Sequence, residues 1–490
     1  MASEIKFGTD GWRAIIGDDF TFDNVRVCGQ SVAQYLHESG MAPRGLIVGY
    51  DTRFASEDFA AAVAEVVAAN GVKVYLCDRP TPTPTVSWAV LDKQAGGAAM
   101  ITSSHNPWRY NGFKYKPEYA GSASPEVVAR LEAPLEEIAA SGAVKRMPLA
   151  EAQRQGLVEV FDPEPAYFAQ IKKLIDLEPL RAADFTVCVD SMYGSGQGYL
   201  PGLLSGGPGR AGRLRVVELH GERNPLFPGI GSPEPIGRNL GPLMEAVRRE
   251  KADVGLAVDG DADRFGLVDE NGVYVDQLQV FGLLTYYLLE ARGERGPIIK
   301  SLTTTRMVIR LGELYGVPVY ETKVGFKYLG PKMIETKGLI GGEESGGYAF
   351  RGHLPERDGV LAALYMLDFK VRTGKRPSEL LAELYARVGP HYYDRVDIEM
   401  PRAENDAVQR RVAAAHPDAV AGVKVTDQDA TDGFRFNLED GGWLLMRFSG
   451  TEPLMRIYTE VPDRALVPAL LKAGRELAGL PEEETKNAHA

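Results

Sequence analysis

Asp259, Asp261 and Asp263 stand at alternate positions, separated only by Gly260 and Ala262, directly after an apolar run. Carboxylates that close repel one another unless a hard divalent cation screens them. Mg²⁺ suits such a cluster, because it takes few protein ligands and completes its shell with water or phosphate oxygens. An extended backbone would project the three side chains roughly the same way. An EF-hand is excluded: counting from Asp259, position twelve is Glu270, but position six, which must be glycine, is Arg264.

Four other strings carry groups that could act with such a site. Thr102-Ser103-Ser104-His105-Asn106-Pro107 could present a serine hydroxyl to a ligand. By composition alone it reads more readily as an ordinary turn, and a serine hydroxyl is a poor nucleophile without a base or metal. Gly341-Gly342-Glu343-Glu344-Ser345-Gly346-Gly347 places carboxylates and a hydroxyl, suited to polyol hydrogen bonding, between glycines that allow close backbone approach. Arg447-Phe448-Ser449-Gly450-Thr451-Glu452-Pro453, followed by Arg456, offers guanidinium forks, hydroxyls and backbone N–H groups to a phosphate dianion. A hairpin with exposed arginines has the same composition. Near the start, Phe7-Gly8-Thr9-Asp10-Gly11-Trp12-Arg13 makes Arg13 a further candidate phosphate contact, and no Walker A string is present.

These strings need elements to hold them. Apolar runs at residues 45–51, 72–78 and 97–102 read as buried strands, with helical stretches between them at 56–70 and 84–92. Ser56 reads as the N-cap of the first of these helices, with Glu57 and Asp58 in its first turn. The β-α-β-α-β grammar recurs across 185–258 and again across 297–340, which gives three similar α/β units. In open α/β sheets ligands collect beyond the carboxyl ends of the strands. Each unit's last strand should therefore deliver one of the unusual loops to chemistry. After about residue 394 the pattern changes to a helix, four extended runs with hairpin turns such as Asp440-Gly441, and a final helix, an α+β unit. The expected domains are 1–160, 161–280, 281–394 and 395–490, with the Gly/Pro-rich stretch 206–212 as a surface loop.

The chain has 490 residues, 44% hydrophobic and 25% charged, which is ordinary for a globular protein of several domains. Its net charge of −12 argues against nucleic acid or an acidic membrane surface as the main partner, though not against a small anion. No secretory leader and no apolar run of about 18 residues is visible. The three cysteines are far apart and form no CxxC. A cytoplasmic protein with reduced thiols is expected.

Together the strings resemble the α-D-phosphohexomutase superfamily: T-x-S-H-N-P, D-G-D-x-D-R, G-E-x-S and R-x-S-G-T-E occur in the family's order over nearly the whole chain. The resemblance implies three α/β domains with mixed sheets and a C-terminal α+β domain around a central cleft. It implies an isomerase that moves a phosphoryl group between O1 and O6 of a hexose through a phosphoserine at Ser104. Asp259, Asp261, Asp263 and the Ser104 phosphate would hold Mg²⁺. Lys114, in Tyr110-Asn111-Gly112-Phe113-Lys114, would be a general acid/base helped by His105 and Arg13. Arg264, Lys327, Glu343 and Ser345 would meet the sugar phosphate, with Glu343 and Ser345 on its O3 and O4 hydroxyls. Arg447, Ser449, Gly450, Thr451 and Arg456 would grip the phosphate that is not transferred. A glucose 1,6-bisphosphate would act as activator, since its loss leaves Ser104 inert, and the protein would be a monomer or homodimer. Glu343-Glu344-Ser345 and Val324-Gly325-Phe326-Lys327-Tyr328 are similar to the glucose-type loops. Phosphomannomutase, phosphoglucosamine mutase and phosphopentomutase are alternatives, and a metal-dependent sugar phosphatase or a non-catalytic sugar-phosphate-binding protein would use many of the same residues.

Overall fold

A computed structural model describes residues 5–8, 10–205, 213–448 and 454–480. The Gly/Pro-rich stretch 206–212 lies outside them, as do Ser449, Gly450 and Thr451.

Four sheets follow one another along the chain. The first has six strands, with Gly97–Ile101, Leu46–Tyr50, Val74–Cys77 and Val158–Phe161 parallel in that spatial order. Tyr110–Pro117 runs antiparallel beside Gly97–Ile101, and Trp12–Ile15 closes that edge. Leu46–Tyr50 and Gly97–Ile101 are buried throughout, as apolar runs must be when helices cover both sheet faces. In the second sheet Arg215–Leu219, Thr186–Asp190 and Val254–Val258 are parallel, followed by antiparallel Phe265–Val268 and the short strand Tyr274–Val275. The third repeats the scheme with Val319–Thr322, Ile298–Ser301 and Ile340–Gly342 parallel and Tyr348–Phe350 antiparallel. The fourth is wholly antiparallel, six strands from Tyr392–Glu399 to Ala419–Val420, packed on the helices Arg402–Ala413 and Leu466–Ala478. The three α/β units, mixed sheets and final α+β unit agree with the expected fold.

Two local expectations are corrected. Ser56 is the first residue of the helix Ser56–Ala69 and not its cap: Ala55 holds the cap position in a left-handed conformation, and the Ser56 hydroxyl donates to Asp51 Oδ1 at 2.9 Å. The strand Tyr110–Pro117 was not foreseen, because its lysines alternate with Phe113 and Tyr115 like the wet face of a half-exposed strand. Lys114 and Lys116 are in fact buried by ion pairs.

The second and third units share one continuous apolar core, which runs from Val187 and Val258 through Leu284 to Ile298 and Leu361. The first unit has its own core, and so does the fourth. Cys28, Cys77 and Cys188 are buried and unpaired. Among the described residues no helix is long and apolar enough to cross a membrane.

Candidate active site

The strand Gly97–Ile101 ends in a loop where Thr102, Ser103 and Ser104 are all buried. Ser104 has φ +50°, a left-handed conformation that costs a non-glycine residue about 1–2 kcal/mol. Its N–H donates to Thr102 Oγ1 at 2.8 Å. Its hydroxyl donates to Asp259 Oδ2 at 2.7 Å, and His105 Nδ1 lies 3.3 Å from Ser104 Oγ. Burial, with Arg264, Arg13, Lys114 and Arg53 nearby, holds the His105 pKa well down, so the ring is neutral.

Asp259 follows the strand Val254–Val258. The segment beyond it is a turn and not the extended run expected: Ala262 has φ +58°, and its N–H donates to Asp259 O at 3.0 Å. The turn brings oxygens of Asp259, Asp261 and Asp263 within 4.8 Å of one another, all three residues fully buried. Gly260 lets the two loops touch, since a Cβ there would lie 2.4 Å from Ser104 O. The donors suit Mg²⁺: among the described residues, Asp261 Oδ1 and Asp263 Oδ1 are buried without a hydrogen-bond partner, two hard oxygens available to a cation. Burial, then the charges of Asp261 and Asp263, push the Asp259 carboxyl well up. Burial raises Asp261 too, but Lys114, Thr83 and Arg357 together outweigh it and the net shift is downward.

Lys114 Nζ lies 2.8 Å from Asp261 Oδ2, 2.9 Å from Asp10 Oδ2 and 3.3 Å from Asp263 Oδ2. Burial favours its neutral form, yet these three carboxylates overcome burial and raise its pKa, so the ammonium is retained. Arg357 Nη2 bonds Asp10 and lies 2.9 Å from Asp263 Oδ2, while Nη1 is 3.9 Å from Glu343 Oε2. Arg357 thus joins the aspartate turn to the Glu343 loop. That loop links Ile340–Gly342 to Tyr348–Phe350. Burial and Glu344 raise the Glu343 carboxyl against the pull of Arg357, to about 7. Ser345 Oγ is buried with no partner among the described residues. Glu344 turns away and accepts from Thr303 and Ser301.

The remaining candidates fall in two places. Arg13 donates to Asn106 Oδ1 at 3.0 Å beside Ser104, and Arg264 pairs with Glu234 at 3.0 Å. Farther along, Arg447 and Arg456 are register partners on adjacent antiparallel strands. Arg447 Nε donates to Asp432 Oδ1 at 3.1 Å, and Arg456 Nε is 3.6 Å from Asp397 Oδ2. Like charges directly opposite one another destabilise a strand pair, and an anion between them would relieve that. Half-buried Lys327 has its pKa lowered by burial and by Arg447.

Sequence reasoning passed over Asp10, Asp51, Arg53, Thr83, Lys116, Glu356 and Arg357. Thr83 donates to Asp261 Oδ2 at 2.6 Å, and Lys116 Nζ pairs with Glu356 at 2.8 Å and Asp10 at 3.2 Å. Four of these had a readable signal: Asp51 and Arg53 follow a buried strand, and Glu356 and Arg357 precede the long apolar helix Gly359–Thr373.

Models of four phosphoglucomutase/phosphomannomutase domains match the chain in order. Alpha/beta/alpha domains I, II and III match residues 4–141, 165–272 and 276–388, and the C-terminal domain matches 400–476. A phosphoglucomutase/phosphomannomutase of Thermococcus kodakarensis is 31% identical over 96% of this chain and 98% of its own. A Methanopyrus kandleri protein, provisionally named a phosphoglucosamine mutase, is 31% identical over 93% of both chains. A crystal structure from Thermus thermophilus, provisionally named a phosphomannomutase, is 35% identical and superposes with a TM-score of 0.84, covering 98% of this chain and 100% of that one.

Proposed function

This chain belongs to the phosphoglucomutase/phosphomannomutase family and is a mutase, and from that premise we propose that it interconverts hexose 1-phosphates and hexose 6-phosphates, glucose preferred, with Ser104 carrying the phosphoryl group. One observation carries the reading: the Ser104 hydroxyl is aimed at Asp259, at 2.7 Å, inside a buried cluster with two unpartnered carboxylate oxygens.

In this reading Asp259, Asp261, Asp263 and an oxygen of the Ser104 phosphate would hold Mg²⁺, which when bound supplies positive charge to the transferring phosphoryl group. The phosphoryl group leaves Ser104 Oγ for O6 of a hexose 1-phosphate, and Ser104 Oγ recovers a proton as the sugar hydroxyl loses one. Arg13 and Lys114 bring fixed positive charge to this transfer. Because Lys114 holds its proton, it contributes charge and a hydrogen bond rather than acting as base. Neutral His105, 3.3 Å from Ser104 Oγ, is the candidate to take the sugar hydroxyl's proton and pass it to Ser104 Oγ. Glu343 and Ser345 hold O3 and O4 in either orientation of the bisphosphate. Arg264 and Lys327 contact the substrate's phosphates, and Arg447, Ser449, Gly450, Thr451 and Arg456 grip the resting one. A hexose 1,6-bisphosphate restores Ser104 whenever the intermediate escapes.

A ³¹P NMR time course tests this with Mg²⁺, a trace of glucose 1,6-bisphosphate and, separately, the 1-phosphates of glucose, mannose and glucosamine. Glucose 6-phosphate should appear fastest, and no product should form with Ser104→Ala. Inorganic phosphate as the main product would sink the reading in favour of a phosphatase. The Methanopyrus kandleri relative supports a second reading, a glucosamine phosphate substrate, and fastest turnover of that sugar would replace the glucose assignment.

A further inference from the structure

Arg53, three residues past the buried strand Leu46–Tyr50, is itself fully buried. Its Nε pairs with Asp51 Oδ2 at 3.2 Å. Its other side-chain hydrogen bonds go to the segment that carries Ser104. Nη2 donates to Ser104 O and Asn106 O at 2.7 Å each, and Nη1 donates to Pro107 O and Tyr110 O at 3.0 Å each. Burying a guanidinium is costly, and a single carboxylate answers only part of that cost. Four backbone carbonyls of one loop answer the rest.

The neighbours of Arg53 extend the hold in two directions. Asp51 Oδ2 accepts from Thr102 Oγ1 at 2.6 Å, and Thr102 Oγ1 in turn accepts from Ser104 N. Toward the second unit, Thr52 Oγ1 donates to Tyr193 O at 2.8 Å, and Arg223 donates to Thr52 O and Arg53 O at 3.1 and 3.2 Å. The Phe227 ring lies 5.1 Å from the Arg53 guanidinium carbon. One buried side chain therefore grips the serine loop, while its backbone is tied to the unit that supplies Asp259.

We infer that Arg53 is a positioning residue for phosphoryl transfer: it keeps the left-handed Ser104 backbone in place so that Oγ faces the aspartate turn. The inference rests on the reading of Ser104 as phosphoryl carrier. Without Arg53 the loop can relax toward an unstrained backbone, and Ser104 turns off its line. Lysine cannot substitute, since three N–H bonds from one atom do not span four carbonyls laid out for a planar fork.

The test compares wild type, Arg53→Lys and Arg223→Gln. Intact mass after incubation with glucose 1,6-bisphosphate gives phosphoserine occupancy, initial rates give kcat and KM, ³¹P NMR gives inorganic phosphate per hexose phosphate turned over, and thermal unfolding gives Tm. For Arg53→Lys, kcat per phosphorylated molecule should fall about 100-fold or more, the scale of a reacting group displaced by about 1 Å, with KM within about twofold. Inorganic phosphate per turnover should rise, which a loss of folded protein cannot produce. Arg223 has 35% of its side chain exposed, so its variant tests the same hold without a buried charge. It should lower kcat less, again at constant KM, and it decides the matter alone if Arg53→Lys does not fold. Wild-type kcat per phosphorylated molecule in every variant that folds overturns the inference, whatever happens to Tm. A wild type with neither phosphoserine nor turnover of glucose, mannose or glucosamine phosphates overturns the reading of Ser104 instead.

Discussion

Glu343 is a carboxyl group tuned to the neutral range, raised to about 7 by burial and Glu344 despite Arg357. A carboxylate accepts sugar hydroxyls better than a neutral acid does. KM for the hexose phosphate should therefore fall as pH rises through about 7, and Glu343→Gln should remove that inflection. Stability should move the opposite way. Between the unperturbed value of 4.5 and about 7 the folded protein holds a proton that the unfolded chain has lost, so stability declines with rising pH over that window. A pH series of urea midpoints should show the decline flattened in Glu343→Gln. At the aspartate turn, Asp263→Asn removes a proposed Mg²⁺ ligand and weakens the ion pair of Arg357. Calorimetric titration should show Mg²⁺ binding weakened by at least the roughly 10–100-fold that loss of a mere outer-shell partner brings. The clustering of the three aspartates was legible because their alternate spacing is unusual, whereas the Ser104 loop stood out only through the family resemblance. Asp10 and Lys116 were not legible, because a lone charged residue in a sequence does not say which distant partner it will meet.

Two elements meet where Gly260 passes Ser104. A methyl group there would stand 2.4 Å from Ser104 O, a clash with backbone that no side chain can yield to. Gly260→Ala should destabilise the protein by about 1–3 kcal/mol. It should also lower kcat more than KM changes, as rates at saturating substrate beside a denaturation curve would show. The strands that run through the carboxyl-end loops were readable because Leu46–Tyr50 and Val254–Val258 are continuous apolar runs. The aspartate turn was misread as extended for want of any local sign that Ala262 adopts positive φ, a conformation imposed by the contacts around it. Tyr110–Pro117 was hidden for a related reason: its inward lysines look like surface until their carboxylates, far away in sequence, are placed.

Across the whole molecule, the C-terminal unit has its own core and meets the third unit largely through polar ties. Glu321 of the third unit, itself held by Lys300, accepts from Arg435 of the fourth at 2.8 and 2.6 Å, and Asp432 of the fourth accepts from Val324 N at 2.9 Å while holding Arg447. A small apolar patch of Leu302, Trp443, Leu445 and Tyr458 and an edge contact between the Tyr385 and Tyr392 rings add to them. Arg435→Met should loosen this joint and, if the fourth unit holds the resting phosphate as proposed, raise KM with little change in kcat. In calorimetry the C-terminal unit should melt earlier, while the second and third units, sharing one core, should unfold together.

Synthesis imposes an order on all of this. Ser104 waits 155 residues for Asp259, Lys116 waits 240 for Glu356, and Asp10 waits 347 for Arg357. At roughly 5–20 residues per second, the lysine pair of the emerging first unit stays without its full complement of carboxylates for on the order of 10–50 s. Burial of those ammonium groups cannot be completed until the third unit leaves the ribosome. The amino-terminal sheet is therefore expected to dwell as an open, chaperone-accessible intermediate. A ribosome stalled anywhere before residue 259 holds a chain whose Ser104 hydroxyl has no aspartate turn to face, so the site cannot assemble until more than half of the chain exists.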